Sequence, residues 1–189
     1  MRHVWAWAAG SALAAAAAGT AGYLGLVTAA MPVDLGIGRR RMTLGPHTVD
    51  IHAPRELVFD ILAAPYLGRQ THAMADKIRI VERGTDMVLA AHRTPVRGNL
   101  VATTVETVRF TRPDRVDFRL VRGPVPEVIE AFLLTEHDEI TRLEYRGQLG
   151  TDLWGAGAWW GGLVARRWEH VVATSFTGVK TEAERRADR

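Results

Sequence analysis

Histidines are the most prominent side chains that can carry chemistry in this sequence. The chain has 7 histidines and no cysteine, which excludes disulfides, thiolate nucleophiles and cysteine zinc ligands. His72 follows the first predicted helix, and His92 shares a predicted strand face with Val88 and Ala90. Either histidine can act as an acid or a base if it lies beside a bound substrate. The alternative for both is a surface histidine or a structural one with satisfied hydrogen bonds.

The remaining histidines do not form a convincing metal site. His47 and His52 flank the first predicted strand at a separation that is poor for shared ligation. His137 has acidic neighbours in a predicted turn over 136–139, and such turns are ordinarily solvated. The sequence has no Gly-x-Ser-x-Gly, phosphate-loop or His-Glu-x-x-His motif. We therefore predict no metal ion, no cofactor and no catalytic residue, and whether the chain is an enzyme stays open.

The stretch GAGAWWGG at 155–162 resembles a dinucleotide-binding loop in its glycine spacing. Such a loop requires a βαβ unit, but here the chain ends about one helix later, which excludes nucleotide binding. Glycine inside a helix costs about 1 kcal/mol relative to alanine, which indicates close backbone approach or a need for open space. Core packing, cavity lining and membrane contact all stay open for Trp159 and Trp160.

The charge pattern argues against a nucleic-acid partner. The formal net charge is +3, and Lys77 and Lys180 are the only lysines. Nucleic acid requires clustered basic residues on one surface, whereas the single cluster, 39–41, lies in a predicted linker. Those three arginines either contact anionic headgroups or are simply solvated.

Residues 4–31 contain no charged side chain, and they predict an N-terminal transmembrane helix. A bilayer core requires about 20 apolar residues, and Trp5 and Trp7 lie where indole rings favour the headgroup zone. A cleaved signal peptide and a soluble helix are the alternatives for 1–31. Arg2 on one side and the arginines 39–41 on the other favour a cytoplasmic globular domain behind a single membrane span.

The rest of the chain predicts one antiparallel sheet with flanking helices. Residues 32–43 form a basic linker, and a strand at 48–53 precedes a helix that begins after Pro54 and stops at Pro65. A short second helix covers 66–74. Six alternating segments then predict strands, at 78–82, 87–93, 100–111, 115–120, 128–135 and 140–149.

The end of the chain predicts one long helix. Apolar or small residues recur there at spacings of three and four, which defines one helix face: Trp160, Val164, Trp168, Val171, Ser175 and Val179. The charged tail from Glu182 is expected to fray into solvent.

The phrase VDIHAPRELVFDIL at 49–62 resembles the opening of the START/Bet v 1-like (SRPBCC) superfamily. That superfamily includes polyketide cyclase/dehydrase-type and lipid-transfer proteins. The resemblance covers residues 44–186 and leaves 187–189 as a tail. It implies an α+β helix-grip fold, in which a curved antiparallel sheet wraps around the C-terminal helix and an apolar cavity lies between them.

The implied cavity has candidate lining residues on the sheet and on the long helix. They are Phe118, Phe132, Tyr145, Trp160, Val164 and Trp168. Apolar walls with few polar groups suit a hydrophobic ligand. The sequence thus predicts a membrane-anchored protein that binds a hydrophobic small molecule or lipid. The alternatives are a cyclase- or dehydratase-like enzyme and a protein that acts through partner contacts, and the oligomeric state stays open.

Overall fold

The computed structural model describes residues 18–68 and 76–189, without the side chain of Arg97. Its strands are β1 (Arg40–Ile51), β2 (Ile78–Arg83), β3 (Met87–Arg97), β4 (Leu100–Thr111), β5 (Arg115–Arg122), β6 (Glu127–His137) and β7 (Ile140–Thr151). Its helices are α1 (residues 18–27 of the described chain), α2 (Arg55–Leu67) and α3 (Trp154–Ala187).

All seven strands belong to one antiparallel sheet of order β1-β7-β6-β5-β4-β3-β2. Neighbouring strands pair in sequence from β2 to β7, and β1 then returns to pair with β7, as Val49 does opposite Leu143. Helix α3 packs against β1, β7 and α2. The α+β helix-grip architecture predicted from the sequence is therefore confirmed.

One face of the curved sheet, here called the inner face, carries the core under α2 and α3. Alternation places Val116, Phe118 and Leu120 of β5 on this face, while Val121 is exposed. On β6 the inner face holds Phe132, whereas Ile129 is exposed. The two competing faces of β6 that the sequence allowed are thereby resolved in favour of Phe132.

The first strand is longer than its sequence predicts, because β1 begins at Arg40 and not near Thr48. Arg40 already pairs with Thr151, so residues 40–43 are strand and not linker. The ladder is interrupted between Leu44 and His47, where the register shifts. A glycine and a proline at that bulge resemble loop composition, although the strand continues on both sides.

The first helix also runs past its predicted end, because α2 contains Pro65 and continues to Leu67. A proline this close to the C-terminus removes one helical N–H donor without ending the helix. The prediction that a second helix begins at residue 66 is therefore wrong, because residues 66 and 67 are helical but still belong to α2. Residues 69–75 lie outside the described chain.

The buried face of α3 drifts away from the predicted stripe along the helix. Trp160, Val164 and Trp168 are half-buried against the core, as predicted. Further on, Val171 and Ser175 are exposed, while Val172 and Phe176 are buried. Between residues 160 and 179, the buried residues of α3 thus lie one position after the predicted stripe, at Gly161, Ala165, Val172 and Phe176.

The N-terminal segment ends against the sheet. Thr103 of β4 donates its backbone N–H to the Thr28 carbonyl at 3.2 Å, and Arg122 of β5 donates to the Ala30 carbonyl at 3.1 Å. No helix among residues 18–68 and 76–189 is long and apolar enough to cross a membrane. The span predicted over 4–31 falls largely on residues outside the described chain and stays a prediction.

Candidate active site

Glu130 is a buried carboxyl group in the middle of the inner face. It lies on β6 and is only 6% exposed. Its Oε2 accepts two hydrogen bonds, from the Tyr145 hydroxyl of β7 at 2.9 Å and from the Trp168 indole N–H of α3 at 2.7 Å. Three separate elements therefore fix the position of this one carboxyl oxygen.

Burial raises the pKa of Glu130 to about 8, and the charge of Glu106 acts in the same direction. The hydrogen bonds from Trp168 and Tyr145 oppose this shift but do not cancel it, because they stabilise the charged form. Glu130 is thus largely a neutral carboxylic acid near pH 7. Since both bonds fall on Oε2, Oε1 is the oxygen left free to carry the acidic proton.

A second polar group occupies the inner face at β3 and β4. Thr104 donates its hydroxyl to Oε1 of Glu106 at 2.6 Å, and both residues are buried. The other oxygen, Oε2, lies 3.3 Å from Nδ1 of His92. The Nε2 atom of His92 lies 3.0 Å from the Tyr66 hydroxyl of α2. Glu106, His92 and Tyr66 thus form one row of neighbouring polar groups.

Within this row of polar groups, His92 Nδ1 is the atom that lacks a hydrogen bond in the described part of the chain. It is buried, and among the described residues it has no partner of hydrogen-bonding geometry, although Glu106 lies within ion-pair distance. Buried polar atoms without partners are rare and often mark a site of function. Burial also raises the pKa of the Tyr66 hydroxyl, and the charges of Glu106 and Glu130 add to the effect. Tyr66 therefore stays a neutral hydrogen-bonding group.

The sheet supplies the gap through which Tyr145 reaches Glu130. Glu130 pairs across the β6–β7 ladder with Gly147, which has no side chain to fill the space between them. A Cβ atom at Gly147 would lie 3.0 Å from the Tyr145 hydroxyl oxygen and 3.2 Å from the Glu130 Cβ. The glycine therefore permits the Tyr145–Glu130 hydrogen bond.

The sheet residues predicted to line a cavity form a packed aromatic cluster. Ring centroids are 5.0 Å apart for Phe118 and Phe132, and 5.8 Å apart for Phe132 and Tyr145. Phe176 of α3, which the sequence did not predict, lies 5.2 Å from Phe132. Tyr66 contacts the edge of Phe118 at 5.9 Å and so connects the cluster to His92. The cluster forms an apolar floor beside the polar groups.

The helix residues predicted to line a cavity lie on the same side of the molecule. Trp168 donates its indole N–H to Glu130, and Trp160 donates its indole N–H to the Pro124 carbonyl at 2.8 Å. Val164, which lies between the two tryptophans in the sequence, is half-buried against the core. A ligand-binding role for these residues stays a prediction.

Glu130 and Glu106 are the residues that reasoning from the sequence missed. The signal was their position in the alternating pattern. Glu130 falls on the same strand face as Val128 and Phe132, and Glu106 falls on the same face as Thr104 and Val108. Acidic residues in register with a buried face carry a desolvation penalty, which is the mark of a functional group. His92 was predicted as a candidate acid or base, and its inner-face position is confirmed.

The other predicted histidine sites gain no chemistry from the fold. His47 stacks on Tyr145 with centroids 5.9 Å apart, and its Nε2 lies 3.7 Å from Glu169. His137 ends β6 beside an exposed turn. In the part of the chain that the structure describes, no cluster of histidine and acidic residues has the form of a metal site. His72 lies outside that part.

The stretch GAGAWWGG forms the first turns of α3, and its glycines serve different purposes. A Cβ at Gly157 would lie 1.5 Å from the Asp152 carbonyl oxygen, and one at Gly161 would lie 2.9 Å from the Thr151 side chain. Gly155 and Gly162 face open space. Close packing of the helix start against the sheet is thus confirmed. A core position for Trp159 is wrong, because its side chain is 69% exposed.

A separate cleft of about 330 Å³ lies on the opposite face of the sheet. It runs between the end of the N-terminal segment and β4, and its lining residues are Thr28, Ala29, Ala30, Val101, Thr103, Val105 and Arg122. Arg122 is its one charged side chain. The cleft is therefore distinct from the two carboxyl groups of the inner face.

Solved structures with the same architecture place this fold among known proteins. The Zhui aromatase/cyclase from Streptomyces sp. R1128 superposes with a TM-score of 0.63 and 21% identity, over 78% of this chain and 95% of that chain. This chain has the START/Bet v 1-like fold. A START superfamily protein from Mycobacterium smegmatis matches 75% of this chain and 99% of its own, with a TM-score of 0.52 and 14% identity.

A plant enzyme extends the range of proteins that share the START/Bet v 1-like fold. Truncated norcoclaurine synthase from Thalictrum flavum matches with a TM-score of 0.54 and 11% identity, over 80% of this chain and 95% of that chain. No protein-family model and no curated protein sequence matches this chain. At these identities the likeness establishes the START/Bet v 1-like fold alone, so activity must be argued from the site.

Proposed function

We propose that this chain binds a hydrophobic, carbonyl-bearing small molecule beside the inner face and catalyses proton transfer on it. One observation carries the proposal, the presence of two buried carboxyl groups that belong to different hydrogen-bonded groups. The sequence favoured binding over catalysis because it showed no catalytic constellation. Residues from α2, α3 and four strands bring candidate acid and base groups to the inner face, which supports the proposal of a cyclase- or dehydratase-like enzyme.

The environments of the two carboxyl groups suit opposite roles. Glu130 is held neutral near pH 7, so it can donate its Oε1 proton to a carbonyl oxygen as charge develops there. His92 Nε2 can accept a proton from the adjacent carbon once the substrate displaces its hydrogen bond to the Tyr66 hydroxyl, and Glu106 at Nδ1 would stabilise the imidazolium that results. Removal of that proton gives an enol, the intermediate required for aldol-type ring closure or for loss of water.

The surroundings favour a substrate that is apolar over most of its surface. The Phe118–Phe132–Tyr145 cluster and the half-buried Trp160 and Trp168 offer aromatic surface next to the acid and the base. Aromatic surface with a few placed polar groups favours flat hydrophobic ligands. The Zhui protein is described as an aromatase/cyclase, which agrees with this substrate class.

Proton exchange tests this proposal without knowledge of the natural substrate. A panel of aryl ketones and aryl β-diketones is incubated with the full-length protein in deuterated buffer, and loss of the α-proton signal is followed by NMR. We expect exchange well above the buffer rate, with a loss of about 100-fold or more in Glu130→Gln and in His92→Gln. Binding of the same ketones, measured by fluorescence quenching, should change little in Glu130→Gln.

The control variant is His137→Gln, which lies at the exposed end of β6 and should leave exchange unchanged. If the ketones bind and no variant alters their exchange, the site binds ligand without catalysis. That result would favour the interpretation made from the sequence, a binding protein for a hydrophobic molecule or lipid.

We also propose that residues 4–31 anchor the domain to a membrane, with the domain on the cytoplasmic side. The support is the charge-free sequence and the arginines that follow it at 39–41. Full-length protein should stay with membranes through an alkaline wash, while protein that begins at Pro32, which keeps all of β1 and the contacts to Asp152, is released. Release of the full-length protein by the wash would contradict the anchor.

A further inference from the structure

Large apolar side chains are exposed together where α3 begins. Trp159 and Trp154 are 69% and 57% exposed. The full set, here called the tryptophan edge, comprises Leu35, Ile37, Leu153, Trp154, Trp159 and Leu163. Each is at least partly exposed, and two of the chain's 6 tryptophans belong to it. Contiguous exposed apolar surface marks an interaction site more often than scattered single residues do.

Backbone hydrogen bonds hold the two segments of the tryptophan edge together. Leu153 donates its N–H to the Ile37 carbonyl at 2.9 Å, and Trp154 donates to the Gly38 carbonyl at 3.0 Å. The Trp154 ring covers Gly38, where a Cβ would lie 2.4 Å from it. The edge is thus a built surface of the fold and not a pair of loose loops.

Two residues of the edge have a strained backbone. Leu153 and Trp154 have φ angles of 68° and 49°, in the left-handed region that large residues rarely adopt. Each such residue costs on the order of 1 kcal/mol or more, and strain of this kind clusters at functional sites. The turn from β7 into α3 therefore presents Leu153 and Trp154 outward at an energetic cost.

The apolar N-terminal part of the chain reaches the same end of the domain. Strand β1 begins at this end of the sheet, and β5 and β7 end there. The Thr28 and Ala30 carbonyls accept hydrogen bonds from β4 and β5 at the same end. Tyr23 and Leu24 of α1 are exposed as well. The sequence preceding residue 18 continues without charge back to Val4. Residues 28–30 and the tryptophan edge thus lie at the same end of the strands, against different strands of the sheet.

We propose that the tryptophan edge docks on the surface of a lipid bilayer, with Trp154 and Trp159 at the level of the headgroups. Indole rings favour this zone because they are apolar and carry one hydrogen-bond donor. The contact is mainly apolar, since Arg39 is paired with Asp152 and Asp34 and Arg41 with Glu127, which leaves Arg40 as the one arginine of 39–41 without an ion pair to the described residues. The proposal is independent of the catalytic proposal, which concerns the inner face.

Site-specific labelling tests the docking directly, because the chain has no cysteine. Full-length Trp159→Cys carries an environment-sensitive nitrobenzoxadiazole label, and Ile129→Cys on the outer face of β6 is the matched control. Both positions are exposed, at 69% and 43%. The proteins are reconstituted with phosphatidylcholine vesicles, with and without phosphatidylserine, and lipids bearing a doxyl quencher report membrane contact.

The expected result is a several-fold rise and a blue shift of emission at position 159, with doxyl quenching and no change at 129. High salt and phosphatidylserine should alter the signal at 159 little, because no net basic surface drives the contact. A label at 159 that stays water-like on vesicle-bound protein would overturn the proposal, as would failure of the protein to bind vesicles. A blue shift at 159 without lipid, together with a dimeric mass, would assign the edge to a second copy of the chain and also overturn it.

Discussion

The Tyr145 hydroxyl donates a hydrogen bond to the Glu130 carboxyl at 2.9 Å across the gap that Gly147 leaves in the sheet. The phenol is itself held neutral, because burial and the nearby Glu130 charge raise its pKa. A neutral hydroxyl group thus donates a hydrogen bond to a carboxyl group that is also mostly neutral near pH 7. This pair is the centre of the proposed active site, and several consequences can be measured.

The first prediction concerns Glu130→Gln and the dependence of stability on pH. The folded pKa of Glu130, about 8, lies above the ordinary glutamate value of 4.5, so the folded state binds the proton more tightly. The free energy of unfolding should therefore fall as pH rises from about 5 to 8, by at most about 4 kcal/mol from this group. Glutamine resembles the neutral acid, so the variant should match the wild type near pH 5 and exceed it at pH 8.

Urea denaturation at both pH values measures the difference between the two proteins. Glu139→Gln in the exposed turn after β6 is the control and should follow the wild-type profile. Parallel profiles for Glu130→Gln and the wild type would show that Glu130 is ionised throughout this range.

The second prediction concerns Gly147→Ala. The added methyl group would press on the Tyr145 hydroxyl at 3.0 Å and on the Glu130 and Leu44 Cβ atoms at 3.2 Å each. We expect a loss of stability of about 1–3 kcal/mol from overpacking and a weaker hydrogen bond to Glu130. Loss of that bond removes a group that stabilises the carboxylate, so the pKa of Glu130 should rise further. Carbon NMR of the labelled carboxyl group reads this shift, and an unchanged titration would argue against the Tyr145 contact.

The third prediction compares two glycines of the same helical stretch. Gly157→Ala places a methyl group 1.5 Å from the Asp152 carbonyl oxygen, so the start of α3 must shift. We expect a loss of more than about 3 kcal/mol. Gly162→Ala has open space around it and should be neutral or stabilise by up to about 1 kcal/mol, since alanine favours helix. Thermal unfolding measures both, and equal effects would contradict the packing of this turn.

The fourth prediction concerns Asp152, which fixes the chain before β1. Its Oδ2 accepts the backbone N–H groups of Leu35 and Gly36 at 2.7 and 2.8 Å, and its Oδ1 accepts Nε of Arg39 at 2.7 Å. Asp152→Asn leaves these donors poorly matched and should cost about 3 kcal/mol. Asp50→Asn, which breaks an exposed pair with Arg142, should cost much less.

The pH dependence of this contribution follows from the depressed pKa of Asp152. The Arg39 guanidinium lowers that pKa to about 2, below the ordinary aspartate value of 3.8. The stabilisation is therefore present above about pH 4 and is lost as the pH falls toward 2. Asp152→Asn lacks this titrating group, so its free energy of unfolding should change less between pH 4 and 2 than that of Asp50→Asn, as measured by urea denaturation at both pH values.

The sequence predicted the architecture better than the site, for a physical reason. Alternation of apolar residues places Phe118 and Phe132 on one face because the side-chain period of a strand is fixed at two. Glu106 and Glu130 obey the same period, but their burial depends on strands and helices far away in sequence. The position of Trp159 stayed open because helix periodicity gives an angle and not the neighbour that covers it. The strand start at Arg40 was missed because its partner, Thr151, lies at the other end of the chain.

The most direct test of the account is the ionisation of Glu130 itself. Protein with carbon-13 at the glutamate carboxyl position is titrated by NMR, and Glu130→Gln assigns the resonance. The account predicts a midpoint near the folded pKa of about 8, which falls in Glu106→Gln because the neighbouring charge is removed. A midpoint near the ordinary value of 4.5 would mean that Glu130 is ionised at neutral pH, and it would contradict its role as the acid.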